Sequence, residues 1–172
     1  MNNQQRRPPE LIPCPGCKGD KEKGKAVCYN CRKRYVAEAA DLALAGKPVP
    51  TYEEWIEKMV QGRIPALQDI LRAAQEDLST AQRKAEEKLQ QLLAERVPGQ
   101  LEPEILEMAK TKLKEKEGDR IWRGIDGPRI YRAYKIAGSR LQEAQRLLQD
   151  LEAKKTSSPL LEYGEKILES GK

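Results

Sequence analysis

Four cysteines are the side chains best equipped for chemistry in this 172-residue sequence. Cys14-Pro-Gly-Cys17 is followed, ten residues later, by Cys28-Tyr-Asn-Cys31, so the spacing is C-x2-C-x10-C-x2-C. Two cysteines three positions apart in a tight turn aim both sulfurs at one ion. Two such turns supply the four soft ligands that Zn2+ takes at tetrahedral corners. Gly16 lets the first turn tighten, and Pro13 and Pro15 stiffen its approach. The expected cofactor is therefore a structural Zn2+ held by Cys14, Cys17, Cys28 and Cys31, with no open position for substrate. Two disulfides or a redox C-x-x-C are the competing readings. The first is disfavoured because no apolar stretch of signal-peptide length opens the sequence. The second lacks the βαβ pattern in which a redox pair sits.

The elements that must position these ligands are small. A short hairpin is expected to join the two turns into a module spanning residues 11–35. Over those residues the sequence resembles the zinc-ribbon and treble-clef superfamily, a resemblance that implies a fold more than an activity. One departure is that Cys31 runs directly into Arg32-Lys33-Arg34, with no glycine after the cysteine.

Charge gathers on the same module. Residues 1–35 carry nine Lys or Arg against three acids, a net of +6, so the rest of the chain is close to neutral. Tyr29 and Tyr35 lie beside the cluster. Cations next to aromatic rings suit phosphate contact and base stacking, which makes Lys25, Tyr29, Arg32, Lys33, Arg34 and Tyr35 candidate nucleic-acid-binding residues. A solvated lysine-rich surface is the plainer alternative.

The remainder reads as helix. Ala, Glu, Lys, Leu and Arg make up 88 of the residues, a share typical of long helices. Residues 36–64 are expected to hold short helices and a linker. Val36–Ala45 forms the first helix, Lys47-Pro48-Val49-Pro50 is stiff, and Thr51-Tyr-Glu-Glu54 is a capping box. Gly62 should stop the second helix and Pro65 open the third. Leu67, Leu71, Ala74, Leu78, Ala81, Ala85, Lys88 and Leu92 then alternate by four and three, a heptad seam broken once by Lys88. Ile130, Tyr134, Ala137, Leu141, Ala144, Leu148 and Leu151 repeat that rhythm. Residues 65–155 are expected to form an antiparallel helical hairpin interrupted by an insert at 98–127. Pairing of these helices between chains, giving a homodimer, is the alternative.

Within the insert a helix is expected to run to Glu117, with Ile105, Leu106, Ala109 and Leu113 on one face. A glycine-hinged loop at 118–127 follows, carrying Arg120, Trp122 and Arg123. Lys110–Lys135 has a net charge of +5, so Arg120, Trp122, Arg123 and Arg129 are a second candidate nucleic-acid surface. Trp122 could instead plug the hairpin against Ile105 and Leu113. Residues 1–10 read as a flexible basic arm, and 156–172 as a short amphipathic C-terminal helix that either folds back or docks a protein partner.

The expected architecture is thus mainly α: a small N-terminal zinc ribbon, then a long coiled-coil-like hairpin with short accessory helices. Histidine is absent, which removes the commonest general base and every His-dependent nucleophile or metal site. No apolar run approaches a membrane span. The expectation is a non-enzymatic, cytoplasmic accessory protein that binds DNA, RNA or a nucleoprotein, without sequence readout. Two alternatives stand beside it. One is a protein-binding adaptor of the transcription machinery, loosely similar to the coiled-coil regulators that enter the secondary channel of bacterial RNA polymerase. In those, however, the zinc module follows the hairpin and the tip is acidic. The other is a coiled-coil scaffold, which would have no use for the basic clusters.

Overall fold

The computed structural model describes residues 9–97 and 99–156. Apart from Thr156, the expected helix at 156–172 lies outside those residues, as does most of the basic arm, Arg6 and Arg7 included. The described chain is mainly helical. Strands β1 (Leu11–Pro13) and β2 (Asp20–Glu22) precede helices α1 (Tyr29–Leu44), α2 (Tyr52–Gln61), α3 (Ile64–Arg96), α4 (Pro103–Gly124) and α5 (Gly127–Thr156). The strands pair antiparallel, Leu11 opposite Glu22 and Pro13 opposite Asp20, and the first cysteine pair lies in the turn between them. No helix among the described residues is long and apolar enough to cross a membrane.

Local signals set the helix ends. The Thr51 hydroxyl accepts from the Glu54 amide at 3.2 Å, while the Thr51 amide donates to the Glu54 carboxylate at 2.7 Å, so the capping box at α2 is complete. Gly62 caps the C-terminus of α2. The helix expected to begin at Val36 starts instead at Tyr29, inside the second cysteine pair. Sulfur–metal geometry explains the shift. Residues 28 and 31 are three apart, close to one helical turn, so a helix start presents both sulfurs on one side as well as a turn would.

The glycine-hinged loop expected at 118–127 is also corrected. Helix α4 continues through Gly118 to Gly124, and only Ile125 and Asp126 separate it from α5. Gly118 costs the helix about 1 kcal/mol, too little to break it while Leu113 and Ile121 on either side are buried. Asp126 makes the turn at φ 61°, a conformation Asp tolerates better than most residues. Its carbonyl accepts from the Arg129 and Ile130 amides, and its carboxylate pairs with Arg129.

Two compact units are present. The first holds the residues up to Gln68 and from Ser139 onward; the second is Asp69–Gly138. The boundary falls within both α3 and α5. In the first unit Cys14, Cys28 and Cys31 belong to the same buried cluster as Trp55, Ile56, Val60, Leu67, Ala144 and Leu151. In the second, Ala81, Leu93, Leu113, Ile121 and Ala137 are buried. Lys88, expected on the seam, is exposed, and the inward positions pass to Leu89 and Leu93. The other seven seam positions, Leu67 through Ala85 and Leu92, are buried or half-buried, so the four-three rhythm breaks only around Lys88. Ile105 is 52% exposed and does not share the buried face of Leu113.

Candidate functional site

The hairpin turn and the start of α1 bring four sulfurs together. All four lie within 4.8 Å of one another, with Cys14 and Cys31 3.9 Å apart and Cys17 and Cys28 3.3 Å apart. A tetrahedral ion with metal–sulfur bonds of about 2.3 Å needs sulfurs about 3.8 Å apart. These separations bracket that value, so the residues fit one metal ion. Backbone amides already face the sulfurs: Cys28 N–H donates to Cys14 Sγ and Gly19 N–H to Cys17 Sγ, each at 3.3 Å. Burial pushes the Cys14 and Cys31 thiols up. Burial acts on Cys28 too, but the Cys31 amide and the surrounding thiols outweigh it and draw that thiol down to about 7. A cation among the four would favour every thiolate, which is the chemistry this arrangement supports.

The module is clamped from behind. A methyl added at Gly16 would lie 2.8 Å from Met59 Cε and 2.9 Å from Cys31 Sγ, so only glycine lets the turn approach α2 and the sulfurs so closely. Lys21, at the centre of β2, is 3% exposed. Its ammonium donates to Glu143 Oε1 of α5 at 2.6 Å and to the Lys25 carbonyl. Arg146 closes on the same carboxylate at 2.9 Å, and Arg140 donates to the Lys18 carbonyl. Arg140 and Glu143 thus grip the hairpin from one helix face, with Arg146 holding the Glu143 carboxylate in place. Sequence reasoning missed this clamp. Lys21 sits between two acids in the sequence, and nothing there marks it as the inward residue of its strand.

The cationic surface is narrower than composition implies. Lys21 is committed to Glu143, Lys23 pairs with Glu10 and Arg34 with Glu38. Lys18, Lys25, Arg32 and Lys33 enter no ion pair among the described residues. The two tyrosines separate sharply. Tyr29 is 70% exposed, with the Lys33 ammonium 4.9 Å from its ring centre. Tyr35 is packed 5.1 Å from Tyr52 and 5.6 Å from Trp55, and its hydroxyl donates to the Pro50 carbonyl at 3.0 Å. Its ring is therefore part of the core and has no free face for a base. Arg34 lies over Trp55, whose indole N–H donates to Glu38. Lys25, Tyr29 and Arg32 come together with Tyr52, Asp20 and Glu22 in one groove of about 500 Å³.

The second set of candidates is spread along helix rather than displayed on a loop. Arg120 pairs with Glu117, which also takes Arg96, and Arg129 pairs with Asp126. Arg123 is exposed and enters no ion pair among the described residues. Trp122 is half-buried and lies over Gly127, where an added methyl would fall 2.1 Å from the indole, so it packs there and not against Ile105. Comparison with protein-family models, with curated proteins and with solved structures finds no match to this chain.

Proposed function

We propose that this chain is a non-enzymatic, zinc-stabilised accessory protein that binds nucleic acid, alone or within a nucleoprotein, through its cysteine module. One observation carries the reading. The groove beside the four sulfurs gathers Lys25, Tyr29 and Arg32, three of the residues singled out by sequence, on a support clamped to α5 and α2. Zn2+ is the ion of choice because four thiolates at tetrahedral spacing match its preference and leave it no substrate position. Phosphate contacts from Lys25, Arg32 and the neighbouring Lys33 would supply affinity without sequence readout. The module corresponds better to the treble-clef side of the resemblance than to a two-turn ribbon, because its second cysteine pair opens a helix.

The helical part is read as support. Leu67 shares a core with Ala144 and Leu151 in the first unit, and in the second Leu71 comes within 3.9 Å of a methyl placed at Gly138. Rising numbers on α3 matched by falling numbers on α5 favour an intramolecular antiparallel hairpin. With Arg120 and Arg129 already ion-paired, Arg123 is the strongest member of the second basic surface.

The test is a salt titration of binding to mixed-sequence oligonucleotides by fluorescence anisotropy. Affinity should fall steeply with salt, and Arg32→Gln with Lys33→Gln should lower the slope by about one to two units. Absence of salt-dependent binding at ~50 mM salt would overturn the reading and turn attention to an acidic protein partner.

A further inference from the structure

We propose that the groove takes a single strand, with one base stacked on Tyr29, its phosphate on Lys25 and Arg32, and its edge on Asp20 and Glu22. This rests on the nucleic-acid reading above and goes beyond it in naming the ligand class and the base chemistry. Three features carry it. The lining of the groove carries both signs of charge, Lys25 and Arg32 together with Asp20 and Glu22 of the hairpin. A duplex presents a dense lattice of phosphates, one charge per ~1.7 Å of axis, and two carboxylates in the contact zone oppose it. A single strand brings an uncharged base edge to those carboxylates instead.

The carboxylates also select. Neither is ion-paired among the described residues, and both only accept hydrogen bonds. The edge they favour carries an exocyclic amino group, as cytosine, adenine and guanine do and uracil and thymine do not. Tyr29 then supplies the stacking platform. Its ring is 70% exposed, with the Lys33 ammonium over one face 4.9 Å from its centre; a base would take the other face, with that cation nearby for the next phosphate. A paired base has no free face, so this ring has no use on a duplex.

The experiment measures anisotropy of labelled 12-mers of C and U as RNA, of dC and dT as DNA, and of a mixed-sequence duplex, with zinc content checked for every variant. Binding of C over U and of dC over dT should be at least about threefold, below the range of a bidentate base contact. Tyr29→Ala should weaken single-strand binding about fivefold or more, and Tyr29→Phe should restore it, since the ring does the work. Asp20→Asn with Glu22→Gln should erase the base preference while raising affinity for U, because a repulsive pair is removed. The backbone that binds tighter identifies the natural ligand. Equal binding of duplex, with Tyr29→Ala silent throughout and the salt slope intact, would overturn the strand inference and leave the nucleic-acid reading standing. No salt-dependent binding to any probe would overturn both.

Discussion

The two compact units are held together by different physics. The first, which contains the cysteine module, has a core made of small and scattered pieces: the loops flanking the strand pair, the start of α1, α2, and the ends of α3 and α5. Cysteine sulfurs sit in that core beside Ile56, Val60 and Leu67. The second unit has only helix on helix, with Ala81 and Ala137 fully packed and Leu93, Leu113 and Ile121 closing the rest. Short elements cannot bury enough apolar surface to offset their ordering entropy, whereas long amphipathic helices can. The metal's influence should therefore reach well beyond the ligands in the first unit and stop at the second.

Metal removal is the largest expected effect. Structural zinc commonly contributes on the order of 10 kcal/mol to the folding of such a module. Hydrogen exchange after chelation should lose protection in residues 9–61 and also in 139–156, because Ala144 and Leu151 share the cysteine core. Protection in 69–138 should persist. Equal loss in both units would show that they fold as one.

Next comes the clamp. Lys21→Met leaves the Glu143 carboxylate with Arg146 alone, and loss of one partner from a buried pair typically costs about 3 kcal/mol. Glu143→Gln removes the counter-charge of an ammonium whose side chain is 1% exposed. Burial acts to raise the Glu143 carboxyl, but hydrogen bonds from Lys21 and Arg146 outweigh it and hold it below the ordinary carboxylate value. A depressed carboxylate stabilises the fold above its unfolded pKa and loses that contribution as pH falls through the folded one. Denaturant midpoints of the first unit should therefore fall on acidification below pH 4.5, and Glu143→Gln should flatten that part of the profile. Leu113→Ala, in the other unit, should cost about 2 kcal/mol with no change in zinc affinity. A drop in zinc affinity with that variant would show coupling across the boundary.

The same contrast explains how much was legible in the sequence. The cysteine spacing, the capping box at Thr51 and the seam on α5 were readable because each is a local pattern with one geometric solution. Every predicted seam position on α5, from Ile130 to Leu151, is at least half-buried. What escaped was non-local. Lys21 is separated by 122 residues from Glu143, its partner, and a charge count cannot see that pairing. Tyr29 and Tyr35 looked equivalent beside the basic run. Six residues along a helix is well over one and a half turns, which sends one ring outward and the other into the core. The supposed loop at 118–127 was misread because glycines punctuate, yet two of them sit where packing of Leu113 and Ile121 overrides propensity.

The smallest effect sharpens that last distinction between the tyrosines. Tyr35→Phe deletes a hydrogen bond from a part-buried hydroxyl to the Pro50 carbonyl while keeping the ring on Tyr52 and Trp55. Such a bond contributes about 1 kcal/mol net, and the carbonyl left behind adds to the loss to the extent that water fails to reach it. The linker between α1 and α2 hangs on this contact, so exchange at residues 45–51 should rise along with the fall in stability. Tyr29→Phe should change neither, because no hydroxyl partner is held at that exposed ring. Zinc stoichiometry should be unchanged in both variants. If Tyr29→Phe destabilised the first unit as much as Tyr35→Phe, the exposed ring would be part of the core's support, and the separation of a packing tyrosine from a binding tyrosine would fail.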